Sequence, residues 1–89
     1  MSNRLWNLAA KFSNGEVSAE GFSEEFIRQW KDERDSGELL RDSNEVSERL
    51  SSIFCLADLY NPNSNREDYE LDESRLRNEV MRIVDEGTR

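Results

Sequence analysis

The sequence predicts an all-α fold: an antiparallel four-helix bundle forming one small domain. Three observations carry this. Four stretches place large apolar residues at spacings of three and four. Turn residues fall between them at Asn14-Gly15, Ser36-Gly37 and Asn61-Pro62. No stretch alternates like a strand, apart from a possible extended piece at Asp68-Tyr69-Glu70-Leu71. Brief connections between most of the helices then make neighbours run in opposite directions.

The first helix is expected from about Asn3 to Ser13, with Leu5, Leu8, Ala9 and Phe12 on one stripe. Asn14-Gly15 stops it, because both residues tolerate positive φ. Ser18 is the expected N-cap of the second helix, which carries Phe22, Phe26 and Trp30 at spacing four with Ile27 alongside. Glu24 and Arg28 stand one turn apart on its wet side, and the helix should end before Ser36-Gly37. Asp42 opens the third helix with Glu45 three residues on, a carboxylate cap with a reciprocal partner. Val46, Leu50, Ile53, Ala57 and Tyr60 follow on one stripe, with Phe54 at its edge. Asn61-Pro62 terminates the helix, since the residue before proline avoids the helical region. Residues 61–65 have no periodicity and read as loop. The fourth helix starts near Asp72, shows Leu76, Val80 and Ile83, and ends at Gly87 with Arg82 toward its negative end.

With 89 residues the chain has room for one domain, burying roughly 60–65% of the surface of its unfolded form. Eight aromatics among twenty-five large apolar side chains argue that a core exists despite the high charge content, and few of these side chains are spare for lining a site. The chain has no His. Zinc–histidine sites, His general bases and nucleophile–His pairs are therefore excluded. Cys55 has no partner for a disulfide and lies in an apolar stretch, so it is expected as a buried thiol in a reducing compartment. Met1-Ser2-Asn3-Arg4 begins no long apolar run, and nowhere do eighteen apolar residues occur together. The expectation is a soluble cytoplasmic protein.

Twelve Lys or Arg face twenty Asp or Glu, giving a net charge of −8 that is unevenly spread. Residues 1–41 carry −2 and residues 74–89 carry +1, whereas residues 42–73 carry −7. Phosphate backbones and anionic membranes repel such a chain, so an electrostatically guided partner should be a basic protein. Catalysis is disfavoured, because the acids are many, clustered and wet, and none is singled out as a proton donor. Asp68, Glu70 and Asp72 alternate as at the start of a calcium loop, but Glu73 stands where that loop needs glycine. No phosphate-binding glycine motif appears. Neither metal nor cofactor is expected.

The exit of the third helix and the loop beyond it form the candidate binding surface: Asp58, Leu59, Tyr60, Asn61, Asn63, Glu67, Asp68, Tyr69, Glu70, Asp72 and Glu73. Carboxylates supply charge there and tyrosines supply rigid contact area. A purely structural account competes for some of them. Tyr60 and Leu71 would complete the core, Tyr69 would cover it, and Asp72 and Glu73 would complement a helix N-terminus. That account leaves Glu67, Asp68 and Glu70 unexplained. Clustered like charges repel, and a basic partner would relieve the repulsion. The binding reading requires that Arg66, Arg75 and Arg77 do not neutralise this flank.

The run Asn65-Arg66-Glu67-Asp68-Tyr69-Glu70-Leu71-Asp72-Glu73-Ser74-Arg75-Leu76-Arg77-Asn78-Glu79-Val80 resembles the C-terminal pattern of the colicin D-type immunity proteins. In that pattern an Arg-x-x-Tyr-Glu-(Ile/Leu)-Asp segment leads into a final helix with Leu-x-x-Glu-Val. Phe22-Ser23-Glu24 and Pro62 match in order and spacing, and the likeness spans about Leu8 to Val84. The resemblance implies a four-helix bundle that protects a bacterium from its own or a sibling's tRNA-cleaving toxin. It does so by covering the toxin's basic cleft in place of RNA phosphates. Related modules serve contact-dependent growth inhibition. By the same resemblance Asp58 matches an acidic contact, whereas Asn61, Asn63 and Asn65 are neutral where the family places acids. Either the cognate toxin is less basic opposite this loop, or Glu67, Asp68 and Glu70 have taken over. The partner implied is a basic nuclease domain bound one-to-one, with the free protein monomeric. The alternative is a small acidic adaptor for a basic host protein unrelated to a toxin.

Overall fold

The computed structural model of the protein describes residues 3–37 and 44–87. Four helices account for most of them: α1 (Asn3–Ser13), α2 (Ala19–Ser36), α3 (Asn44–Asp58) and α4 (Glu73–Gly87). The proposed cap Asp42 lies outside the described residues. Among the described residues no helix is long and apolar enough to cross a membrane.

The ends form where the local chemistry places them. At the close of α1, Gly15 adopts φ +82°, Glu16 N–H donates to Lys11 O and Gly15 N–H to Phe12 O. This paired closure needs a residue free to enter the left-handed region. Ser18 caps α2, accepting from Gly21 N–H at 3.1 Å. The helix runs through Ser36 and stops at Gly37, φ +81°, slightly later than expected. Asp72 caps α4 by accepting from Arg75 N–H at 2.8 Å.

One face of each helix supplies the core. Leu5, Ala9 and Phe12 come from α1, Phe22 and Phe26 from α2, Leu50, Ile53 and Ala57 from α3, and Leu76, Val80 and Val84 from α4. Phe12 stacks on Phe22 with ring centres 4.2 Å apart, and Trp30 stacks on Phe54 at the same distance. In α4, Val84 takes the buried place expected for Ile83, because the stripe continues at spacing four.

Contacts between helices fix their relative directions. Arg4 meets Glu33 near one end of the α1–α2 pair and Phe12 meets Phe22 near the other, so these two run oppositely. A side chain added at Gly87 would strike the Trp6 ring, while Arg77 bonds Phe12 O, so α1 and α4 are also opposed. Arg49 pairs with Glu86, and Leu71 N–H donates to Leu59 O, so α3 and α4 are opposed as well. The C-terminal ends of α1 and α3 and the N-terminal ends of α2 and α4 therefore share one end of the bundle.

Several sequence expectations need correction. Cys55 is exposed, because it lies two residues beyond buried Ile53, about 200° round the helix from it. Arg28 pairs with Glu25 and Asp32 rather than Glu24. The Gln29 amide, and after it Arg28, hold the Glu25 carboxyl below its usual range. Arg82 pairs with Glu79 on its own helix. Helix α3 stops at Asp58, short of Tyr60. Glu33 was not foreseen as a core residue. It is 2% exposed, continues the Phe22, Phe26, Trp30 stripe, and is held at 3.4 Å by Arg4.

Candidate functional site

Helix α3 ends in a tightened turn, with Leu59 N–H donating to Cys55 O and Leu56 O and Tyr60 N–H to Ala57 O. The chain then returns alongside itself. Tyr60 and Leu71 form a short parallel bridge, with Leu71 N–H to Leu59 O at 2.8 Å and Asn61 N–H to Leu71 O at 2.9 Å. Only Leu71 of the expected extended piece is part of this bridge. Leu71 is buried, and Leu59 and Tyr60 are half-buried against the core. Burial, together with the Glu73 and Glu20 carboxylates, pushes the Tyr60 phenol above its usual range, so it stays neutral.

Between the two strands of this neck the loop is organised by its own side chains. The Asn61 amide donates to the Glu70 carboxylate at 3.2 Å, and Asn61 Oδ1 accepts from Asn63 N–H at 3.0 Å. Glu70 Oε1 also accepts from Glu67 N–H at 2.8 Å, while Glu70 N–H donates to Glu67 O at 3.0 Å. Residues 67–70 thus form a closed turn with Asp68 and Tyr69 at its corner. Arg66 bonds Asn63 O at 2.9 Å and reaches Asp72 at 3.5 Å, tying the loop to the start of α4.

The eleven candidate residues divide by what they already touch. Asp72 and Glu73 belong to the helix ends, as the structural account expects. Asp72 caps α4, and Glu73 accepts from Ala19 N–H at the start of α2 at 3.1 Å with Arg77 3.8 Å away. Leu59, Tyr60 and Asn61 build the neck. Glu70 spends its oxygens on neutral donors inside the loop. Asp58, Asn63, Glu67, Asp68 and Tyr69 are exposed, and among the described residues no arginine pairs with Asp58, Glu67 or Asp68. Tyr69 does not cover the core: it is 68% exposed. Two of the three neighbouring arginines go elsewhere, and the third, Arg75, is exposed on α4. Arg66 serves Asp72, while Arg77 serves Glu73 and the carbonyls of Phe12 and Val17. Those two arginines were absent from the sequence-level site, and they are what holds this end of the bundle together. Their positions four and six residues from the carboxylates they pair with are the available signal.

Removing the Asp72 cap is expected to cost stability. Asp72→Ala should lower the unfolding free energy by about 1 kcal/mol, the usual worth of a helix N-cap, with affinity for a protein partner changed little once both proteins are folded. Chemical denaturation alongside titration calorimetry checks this. A large affinity loss without destabilisation would return Asp72 to the binding surface.

Among the described residues no group of three or more Cys, Asp or Glu is placed to hold a metal ion. One shallow groove of about 270 Å³, lined by Glu45, Arg49, Ser52, Ile83 and Glu86 among others, lies toward the opposite end of the bundle. No curated protein matches the chain. The four-helix scaffold leaves the loop carboxylates Glu67 and Asp68 exposed. The family described as bacterial self-protective colicin-like immunity matches residues 1–86, so the chain belongs to that family: it is an inhibitor that binds a toxin, and not an enzyme.

Proposed function

We propose that the toxin is a basic nuclease, of the tRNA-cleaving kind, and that this protein neutralises it one-to-one by laying the α3 exit and the 59–72 loop over the RNA-binding cleft. The observation that supports this most is the division of charge at this end of the bundle. Arg66 and Arg77 are drawn to Asp72 and Glu73, while Asp58, Glu67 and Asp68 stay exposed and pair with no arginine among the described residues. Carboxylates so placed offer lysines and arginines of an RNA cleft what phosphates would offer. Asn61, Asn63 and Asn65 carry no charge, so the burden of mimicry moves along the loop to Glu67 and Asp68. Leu59 and Tyr60 support the surface from beneath. The protein would act as a monomer in the cytoplasm, where tRNA is cleaved. A colicin-type and a contact-dependent delivery system are equally compatible with this chemistry. An adaptor role unrelated to a toxin is set aside by the family.

Co-expression with the toxin domain encoded beside the chain tests this. A one-to-one complex should persist through purification at about 0.05 M salt and weaken progressively toward about 1 M, because a charge-steered contact is screened over that range. The complex should cleave no tRNA. A complex indifferent to salt, or one that still cleaves tRNA, would exclude coverage of a cationic cleft.

A further inference from the structure

Tyr69 has no role in the fold described above. It is the most exposed large apolar side chain among the described residues, and it sits beside Asp68 at the corner of the 67–70 turn. The stem beneath this corner is held by three interactions: Glu70 N–H to Glu67 O, Glu67 N–H to Glu70 Oε1, and the Asn61 amide to Glu70. The neck below is held by the Tyr60–Leu71 bridge. The result is a narrow, pre-shaped projection bearing one ring and one carboxylate.

From this geometry we infer that the Asp68–Tyr69 corner is a plug that enters the toxin's cleft, with the Tyr69 ring in a slot that otherwise takes a base of the RNA and the Asp68 carboxylate where an adjacent phosphate would lie. The inference rests on the nuclease reading above and specifies the shape of the partner: a basic cleft that also contains a flat, apolar slot. Nuclease and single-strand clefts combine these two features, because bases stack on apolar or aromatic walls while cations hold the backbone. A tyrosine suits the slot, with few torsions to freeze and a large flat area to bury. A corner already fixed in the free protein loses little further freedom on docking. Glu70 is then a positioning residue that shapes the corner, and Asp68 and Tyr69 make the contact.

Stopped-flow association and titration calorimetry against the catalytically inactivated toxin domain decide the matter, with four proteins compared: parent, Tyr69→Ala, Tyr69→Phe, and the variant with Asp58, Glu67, Asp68 and Glu70 all changed to amides. Tyr69→Ala should weaken binding by about 30-fold or more, almost wholly through faster dissociation, with the salt dependence of association unchanged. Tyr69→Phe should stay within about threefold of the parent, since the ring and not the hydroxyl fills the slot. Melting temperatures should not move, because Tyr69 supports nothing in the core. If Tyr69→Ala binds like the parent while the four-amide variant is weakened, the plug is wrong and the charge reading stands. If Tyr69→Phe loses as much as Tyr69→Ala, the slot recognises a hydroxyl and the base-like role is overturned. If both the alanine and the four-amide variants bind like the parent, the proposed surface falls with it.

Discussion

Replacing Arg77 with alanine is expected to lower the unfolding free energy by about 3 kcal/mol, the sum of two charged hydrogen bonds and a cation–ring contact. The guanidinium donates to Phe12 O at 3.0 Å through Nε and to Val17 O at 3.2 Å, and lies 4.6 Å from the Phe12 ring centre. Those carbonyls belong to the last turn of α1 and the connection into α2; Phe12 O also accepts from Gly15 N–H, so Arg77 is its second donor. Alanine removes the side-chain donor from both carbonyls and the guanidinium from the Phe12 ring. For a domain of this size the melting temperature should fall by about 15 °C. Arg77→Lys should cost about 2 kcal/mol, because a single ammonium keeps the charge but has no planar fork to span both carbonyls. Urea denaturation followed by the fluorescence of Trp6 and Trp30 measures both. A loss below about 1 kcal/mol for the alanine variant would mean that the interaction is a solvent-exposed one of little worth.

Arg77 matters to the binding surface because it closes the end of the bundle that carries it. Glu73 caps α2 from the same turn of α4, so two residues of one helix stitch the α1–α2 connection in place. Arg66 then ties the loop to Asp72, and the Tyr60–Leu71 bridge seals the neck. The carboxylates used in these ties are already partnered within the chain, and on the proposed reading the ones left over are what a partner would neutralise.

The four helices are legible because their apolar residues recur at spacings that only a helix brings to one face, and because Ser18, Gly15 and Gly37 carry recognisable end chemistry. Periodicity says which face is buried but nothing about which polar group lies across the interface. Hence Glu33, on the core stripe of α2 yet charged, was passed over, and so was the partnership of Arg4 with it. Arg77 and Phe12 are separated by 65 positions, so no local pattern connects them. Cys55 was misplaced for a related reason: an apolar run was taken as buried throughout, although its angle around α3 points it outward. Within the candidate site, composition located the acidic segment. Helix-end chemistry sets Asp72 and Glu73 apart from Glu67 and Asp68 at the level of sequence, but it leaves Glu70 with them. That Glu70 spends its oxygens on the Asn61 amide and the Glu67 N–H depends on how the loop closes on itself.

Changing Asp58, Glu67, Asp68 and Glu70 together to Asn or Gln is expected to weaken toxin binding by about 100-fold or more at low ionic strength, chiefly by slowing association about tenfold to a hundredfold. The fold should survive. Asp58, Glu67 and Asp68 support no helix end, and at Glu70 a glutamine retains one acceptor oxygen for the Glu67 N–H or the Asn61 amide. Removing like charges from one loop should leave stability unchanged or raise it by a few tenths of a kcal/mol. The decisive feature is the salt dependence. The Debye length shrinks from about 30 Å at 0.01 M to about 3 Å at 1 M, so the parent's association rate should fall steeply with salt while the variant's stays nearly flat, and the two should converge. Dissociation should change less than association, because Tyr69 is untouched and its buried ring governs release more than the carboxylates around it. Parallel salt curves for parent and variant would place the steering charge on another face, and the groove edged by Glu45, Glu48 and Glu86 would be the next surface to test.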